Sequence, residues 1–132
     1  MISFVIDASV VIAWGFKEKH ASAELAFSRI QTEQTIAPAL WWYELRNVLV
    51  VGERQGRLTQ RETARFLRNI SRLTITVDSS PNEIQVLTLA RRHRLTVYDA
   101  AYLELALRRK LPIACKDGPL RTAAKRARVK LL

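Results

Sequence analysis

Four acidic side chains stand at positions where an α/β protein commonly does its chemistry. Asp7 and Asp117 each come just after a short apolar run, and Glu44 and Asp99 each lie in the first turns of a predicted helix. In an open parallel sheet the functional crevice lies beyond the carboxyl ends of the strands. Taken singly, each residue also has a structural explanation as a helix cap, a turn former or a surface acid. Taken together, the four predict a cluster of carboxylates in one crevice.

The surroundings of two of these acids are too apolar for ordinary surface carboxylates. Glu44 lies within the segment LWWYEL and Asp99 within VYDAAY. An ionised carboxylate in such surroundings is costly unless it is paired or bound to a metal. Mg²⁺ and Mn²⁺ prefer oxygen ligands, and two such ions would balance four carboxylates and leave room for a phosphate. The pattern therefore indicates two-metal hydrolysis of a phosphodiester, with an activated water as the attacking group.

The charge balance favours a polyanionic partner. The chain has 132 residues, with 22 Lys and Arg against 12 Asp and Glu, which gives a formal net charge of +10. Neutralising phosphates releases counterions and strengthens association with nucleic acid. A basic balance also promotes solubility, and charge by itself does not separate these two explanations.

The composition is that of one globular domain covering residues 1–132. Hydrophobic residues are 48% of the chain, far more than an intrinsically disordered protein contains. The single cysteine, Cys115, excludes a disulfide scaffold and fits a reducing cytosol, so a cytoplasmic protein is expected. Asp7 interrupts the apolar start of the chain, so no secretory signal is expected. No membrane span is expected either, because Asp7, Glu44, Arg46 or a proline interrupts each of the longest apolar stretches.

The order of predicted elements indicates the fold class. Short, continuous apolar runs alternate with segments of helical periodicity, which predicts a three-layer α/β/α sandwich with a mainly parallel sheet. Thr59 with Glu62, and Thr96 with Asp99, have the spacing of capping boxes at two helix starts. Strands are predicted at 3–6, 35–37, 73–77, 111–115 and 129–132, and helices at 10–14, 20–34, 40–54, 59–71, 81–93, 96–109 and 120–127.

These motifs resemble those of a known family. The matching residues are FVIDAS at 4–9, ELRN at 44–47, YDAAY at 98–102 and the Asp117 turn after LPIA at 111–114. In order, spacing and apolar surroundings, the chain resembles the PIN-domain ribonucleases and, among them, the VapC-type toxins of toxin–antitoxin pairs. The resemblance extends over essentially the whole chain.

The resemblance implies an α/β/α sandwich and an endoribonuclease that depends on Mg²⁺ or Mn²⁺. It also implies an RNA substrate, a cognate antitoxin and a homodimer. Ser9 matches a small hydroxyl residue near the metal, and Asn47, one helical turn from Glu44, matches an Asn in a supporting role. The residues that match the family's catalytic and metal-binding acids are Asp7, Glu44, Asp99 and Asp117.

The chain departs from the family's pattern just before its last acid. Many members have Thr or Ser two residues before that position, where this chain has Cys115. A thiol is a weaker hydrogen-bond donor than a hydroxyl, so weaker support for a second metal is expected. A catalytically inactive PIN-like module that binds RNA or serves as a scaffold is therefore the alternative interpretation. Divalent-metal-dependent cleavage of RNA would separate the two.

Two other interpretations have less support. A receiver-like phosphoacceptor using Asp7 would need further acids beside it and acidic surroundings, which do not fit the net charge of +10. A zinc site made from His20, His93 and Cys115 lacks any recognised ligand spacing.

Basic and aromatic residues outside the acidic motifs suggest contact surfaces. Lys116 adjoins Asp117, and a basic stripe is predicted on the last helix; such cations would position an RNA backbone without reading its sequence. The early helices carry more aromatic residues than a small core needs, so an apolar groove that takes a partner helix is expected there. The stripe comprises Arg121, Lys125 and Arg128, and the aromatic residues are Trp14, Phe16, Trp41 and Trp42.

Overall fold

The fold is built on a four-stranded parallel sheet. The computed structural model describes residues 1–116 and 118–132. The strands lie in the order β3-β2-β1-β4, and every pairing between neighbours is parallel. Val5 of β1 pairs with Ile36 on one side and with Ile113 on the other. The strands are β1 (Ile2–Ile6), β2 (Gln34–Pro38), β3 (Ile75–Asp78) and β4 (Ile113–Ala114).

Helices connect the strands as parallel pairing requires, because each crossover must return the chain to the end of the sheet at which the previous strand began. The predicted α/β class with a mainly parallel sheet is confirmed. In the described part of the chain, no helix is long and apolar enough to cross a membrane. The helices are α1 (Ala8–Gly15), α2 (Ala21–Ile30), α3 (Leu40–Arg54), α4 (Gln60–Ser71), α5 (Glu83–His93), α6 (Val97–Arg109) and α7 (Pro119–Arg126).

The core surrounds β1 and α6. Phe4, Val5 and Ile6 are fully buried, as expected for a strand covered on both faces. Helix α6 packs against β1 and β2 and buries a nearly continuous run from Tyr102 to Ala106. A helix that is apolar on most of its surface belongs inside the protein, so α6 acts as the central element on which other helices are placed.

An ion-pair network joins α6 to the end of β3. The Arg108 guanidinium donates to Glu104 Oε2 at 2.7 Å and to Asp78 Oδ2 at 2.8 Å. Glu104 is buried, with 1% of its surface exposed, although it lies on an otherwise apolar face. Its charge is tolerated because Arg108 binds both of its carboxylate oxygens.

Several predicted boundaries are wrong, and strand pairing or the chemistry of proline accounts for the differences. The helix predicted over 20–34 ends at Ile30, because Gln34 already pairs in β2. The strand predicted over 111–115 is reduced to Ile113–Ala114, and Pro112 has no N–H with which to extend the ladder. The strand predicted over 129–132 is a single parallel bridge between Leu131 and Ile113.

Candidate active site

Asp7 lies at the junction of β1 and α1. It is the N-cap of α1, where its carboxylate accepts a hydrogen bond from the Ser9 N–H at 3.3 Å. The Ser9 hydroxyl also donates to the same carboxylate oxygen. The structural explanation of Asp7 as a helix cap is therefore correct. Because the carboxylate is also buried beside other acids, capping is not its whole environment.

Ser9 connects Asp7 to the loop after β4. Its hydroxyl oxygen accepts a hydrogen bond from the Lys116 N–H at 3.2 Å. The predicted supporting residue is thus in contact with one predicted acid and with the backbone just before another. Asp117 itself lies outside the described residues, so its place in the site stays a prediction.

Glu44 enters the site from the second turn of α3. Its Oε1 accepts a hydrogen bond from the Tyr102 hydroxyl at 2.6 Å. Leu45 and Leu49 on the neighbouring face of α3 are fully buried, so packing of the helix sets the direction in which Glu44 points. A residue 58 positions along the chain thereby becomes its hydrogen-bond partner.

Asp99 lies in the first turn of α6, and its backbone rather than its carboxylate takes part in the helix cap. The Thr96 hydroxyl accepts from the Asp99 N–H at 3.0 Å, as the capping-box spacing predicts. At Thr59 the same spacing closes fully, because the longer Glu62 reaches back to the Thr59 N–H at 2.9 Å. No reciprocal bond from the Asp99 carboxylate is formed among the described residues, so that carboxylate is available to the crevice.

The pKa values of all three described acids are raised. Burial raises the pKa of the Asp7 carboxyl to about 6; hydrogen bonds from Ser9 oppose the rise, and the charges of Glu44 and Asp99 add to it. Burial also raises the pKa of Glu44, partly offset by the Tyr102 hydrogen bond, and the pKa of Asp99. Within the described residues, no Lys or Arg forms an ion pair with any of the three. The site therefore holds three unneutralised carboxyl groups.

The donor set fits a hard divalent cation by its chemistry. Carboxylate oxygens are the ligands that Mg²⁺ and Mn²⁺ prefer, and the described part of the site presents three of these groups. The spacing is wider than a finished metal site requires: in the described part of the chain, no three His, Cys, Asp or Glu side chains lie close enough to hold an ion. Like charges in one crevice repel unless a cation lies between them, and the charges of Glu44 and Asp99 add to the rise that burial causes in the pKa of Asp7.

Comparison with known proteins identifies the family. Residues 4–126 match the family model described as PIN domain. The chain belongs to the PIN-domain family. A curated relative named Ribonuclease VapC3, from Pyrobaculum aerophilum, is 33% identical over 109 residues, which cover 80% of this chain and 82% of the relative. The resemblance stated from the motifs is therefore confirmed.

Two solved structures share the architecture of this PIN domain. The crystal structure of PAE2754 from Pyrobaculum aerophilum aligns with a TM-score of 0.74 at 24% identity, covering 92% of this chain and 84% of that chain. A toxin–antitoxin complex from Klebsiella pneumoniae aligns with a TM-score of 0.58 at 19% identity, covering 84% of this chain and 83% of that chain. At these identities, both alignments support the fold alone.

Two of the residues predicted to support the metal or bind RNA, Asn47 and Lys116, form no described contact with the three acids. Asn47 is exposed and forms no hydrogen bond with Glu44 in the described part of the chain. The Lys116 ammonium lies 3.3 Å from the Glu18 carboxylate, in an exposed ion pair. Their predicted roles beside the metal and on the RNA backbone stay predictions.

The basic stripe predicted on the last helix is wrong as a continuous face. Arg128 lies beyond the end of α7 and has a positive φ of 61°, so the regular helical spacing does not reach it. Arg121 donates to the Ser22 hydroxyl and to the Cys115 carbonyl oxygen, both at 3.2 Å. Lys125 is exposed. Binding of RNA by these three residues stays a prediction.

Tyr102 is a residue of the candidate site that the sequence motifs indicate only as part of YDAAY. Its hydroxyl contacts Glu44 and the start of α1. A signal was present: Tyr102 lies three residues after Asp99 on one helix, and a tyrosine in a buried helix needs a partner for its hydroxyl.

A separate apolar groove lies between the early helices of the PIN domain. Trp14 of α1 stacks edge-on against Phe27 of α2 with ring centroids 5.3 Å apart. The groove has a volume of about 540 Å³ and includes Leu49 in its wall. Of the four aromatic residues predicted to line a partner surface, Trp14 and Phe16 are half-buried and Trp42 is 45% exposed, whereas Trp41 is buried.

Proposed function

We propose that the chain is a divalent-metal-dependent endoribonuclease that acts as the toxin of a toxin–antitoxin pair. The observation that carries the proposal is the set of three buried or half-buried carboxyl groups, Asp7, Glu44 and Asp99, which have raised pKa values and no basic partner among the described residues. A protein of net charge +10 has little reason to leave these acids unpaired unless a cation occupies them. The curated relative carries the name of a ribonuclease.

The site residues have two proposed roles: some would bind the cation, and others orient its ligands or attract the RNA. Asp7, Glu44 and Asp99 would hold Mg²⁺ or Mn²⁺, with Asp117 as the proposed fourth acid. Such a cation lowers the pKa of a bound water and stabilises charge on phosphate oxygens. Ser9 keeps the Asp7 carboxylate in place, and the positive charge of the protein attracts the RNA backbone. No side chain is required as a nucleophile.

Cleavage of RNA is expected to require an added divalent ion and an intact Glu44. Protein stripped with EDTA is incubated with an end-labelled structured RNA, before and after Mg²⁺ or Mn²⁺ is restored. Glu44→Gln keeps the hydrogen-bond acceptor for Tyr102 but removes one charge, so cleavage is expected to fall by about 100-fold or more.

The matched control for this test is Glu53→Gln, an acid farther along the same helix α3. Its cleavage rate is expected to stay within about twofold of wild type, as for a surface substitution. Cleavage that persists in EDTA would contradict the metal dependence. RNA binding without cleavage under any metal would favour the inactive RNA-binding module.

We further propose that the antitoxin binds in the apolar groove. The groove walls carry Lys17, Arg65 and Arg72 against the single acid Glu62. This charge balance, around the half-buried ring of Phe66, suits an amphipathic segment with apolar anchors and acidic flanks.

Phe27→Arg is expected to weaken antitoxin binding by about 30-fold or more without changing cleavage by the free protein. Phe27 is 49% exposed at the groove wall, so a charge there obstructs the groove without opening the core. Calorimetry with the purified cognate antitoxin measures the change. Ile84→Arg, at a 79% exposed apolar residue outside the groove, is the matched control and should bind as wild type does. Equal affinities for the two variants would contradict this docking site.

Homodimer formation is also part of the proposal. Helix α3 exposes Trp42, Tyr43 and Val50, with 45%, 70% and 41% of their surfaces accessible. These side chains lie outside the groove and supply a separate apolar face for a second copy.

A further inference from the structure

Tyr102 occupies a position between three elements of the site. Its ring is fully buried in α6. Its hydroxyl accepts a hydrogen bond from the Ala8 N–H at 3.3 Å, at the start of α1, and donates one to Glu44 Oε1 at 2.6 Å, on α3. One hydroxyl group thus connects the helix that follows Asp7 with the helix that carries Glu44.

The chemistry of the hydroxyl suits a fixed donor. An ordinary phenol is protonated at neutral pH. The Tyr102 hydroxyl uses that proton in its hydrogen bond to one oxygen of Glu44. Glu44 Oε2 has no hydrogen-bond partner among the described residues and remains available to the crevice.

The Ala8 contact restricts the hydroxyl further. The first N–H groups of a helix have no partner within the helix, so the Ala8 N–H needs an outside acceptor. With its acceptor function occupied by Ala8 and its donor function by Glu44, the hydroxyl has little freedom to rotate. The orientation of the Glu44 carboxylate is thereby tied to the backbone next to Asp7.

We infer that Tyr102 is a positioning residue, whose hydroxyl orients the Glu44 carboxylate so that its free oxygen faces the same cation as Asp7 and Asp99. This inference rests on the proposed metal-dependent function. The competing explanation is that Tyr102 only fills the core with its ring. The two explanations differ in the importance of a single oxygen atom.

Tyr102→Phe removes that oxygen and keeps the ring. Mn²⁺ binding to the RNA-free, metal-stripped protein is measured by calorimetry. Loss of an outer hydrogen-bond partner of a metal ligand commonly weakens metal binding by about 10–100-fold, and a loss in that range is expected here. The Mn²⁺ concentration for half-maximal cleavage is expected to rise by the same factor.

A double-mutant cycle separates positioning from general destabilisation. In the Glu44→Gln background, Tyr102→Phe is expected to reduce Mn²⁺ affinity by no more than about threefold, because the group that it positions has already lost its charge. The matched control is Thr35→Val, which removes another fully buried hydroxyl, one that donates to the Thr74 carbonyl oxygen at 3.2 Å. Its Mn²⁺ affinity is expected to stay within about twofold of wild type.

Each result bears on a distinct claim. If wild type binds no Mn²⁺, the proposed function itself fails. If wild type binds Mn²⁺ and Tyr102→Phe binds it equally well, or loses the same factor in the Glu44→Gln background, the positioning role is overturned while the proposed function stands. The thermal midpoint of each variant is measured first, and each titration is run well below it. Every variant is then compared in its folded state.

Discussion

Asp7→Asn is expected to abolish RNA cleavage and also to raise the thermal midpoint of the metal-free protein at neutral pH. The substitution removes a ligand charge, so cleavage falls by about 100-fold or more. It also removes one of three crowded carboxylates, and a pKa raised from 3.8 to about 6 corresponds to about 2–3 kcal/mol of stability regained at pH 7. Asparagine caps helices as well as aspartate does, so α1 keeps its N-cap.

The gain in stability is expected to depend on pH in one direction. A carboxyl group whose pKa is higher in the folded state destabilises the fold only when it is ionised. The penalty from Asp7 is therefore small near pH 4, grows as pH rises between the two pKa values and is essentially complete near pH 7. Melting curves in EDTA should give similar midpoints for wild type and Asp7→Asn near pH 4, and midpoints several degrees apart near pH 7.

Asp78→Asn is the matched control, with the opposite sign. The Arg108 guanidinium holds the pKa of the Asp78 carboxyl below its usual value, so this carboxylate stabilises the fold at neutral pH and ceases to do so as pH falls. Asp78→Asn should melt below wild type near pH 7 and still cleave RNA. Unchanged cleavage in Asp7→Asn would remove Asp7 from the mechanism. A large fall in its midpoint would instead contradict the expected relief of repulsion, because asparagine keeps the N-cap.

Arg108→Met is expected to lower the free energy of unfolding strongly for a substitution at a partly exposed residue. It leaves the buried Glu104 carboxylate without its partner, and breaking such a pair commonly costs about 3–5 kcal/mol. Because 31% of the Arg108 side chain is exposed and water can partly replace it, we expect about 2–3 kcal/mol. Urea denaturation followed by circular dichroism measures the free energy of unfolding.

The double variant Glu104→Met/Arg108→Met tests the cause of that loss. If the cost arises from an uncompensated buried charge, removing the second charge should restore most of the stability, since apolar replacement of a whole pair is often neutral. Stability that remains as low as in Arg108→Met would show that the loss comes from packing of the Arg108 stem. RNA cleavage by both variants should follow the folded fraction, because the pair lies outside the acidic site.

The sequence by itself determined the order of elements and the identity of the candidate acids. A continuous apolar run at Phe4–Ile6 predicts a buried strand, and the Thr59 and Thr96 spacings mark helix starts, because burial and capping depend on neighbours within a few residues. Asp7, Glu44 and Asp99 were identified from the same local signals, and the structure brings their charges within reach of one another.

The sequence predicts the ends of α3, α4, α5 and α6 correctly, whereas tertiary structure decided several other boundaries and which capping boxes form fully. Gln34 joins a strand instead of extending a helix because β1 supplies its hydrogen-bond partners, and Leu131 forms one bridge where a strand was predicted. The capping spacing closes at Glu62 and not at Asp99, where the shorter side chain forms no bond to the cap. A local sequence pattern carries no information about the hydrogen-bond partners that a distant segment supplies.

The partners of the site residues were also decided by tertiary structure. Tyr102 reaches Glu44 across 58 residues, and the Ser9 hydroxyl meets the Lys116 N–H across 107. A hydrogen bond depends steeply on distance and angle, and these are set by how β1, α3 and α6 pack against one another. Residue type and spacing therefore indicated which chemistry the chain could do, while packing of distant segments set which oxygen atoms face the crevice.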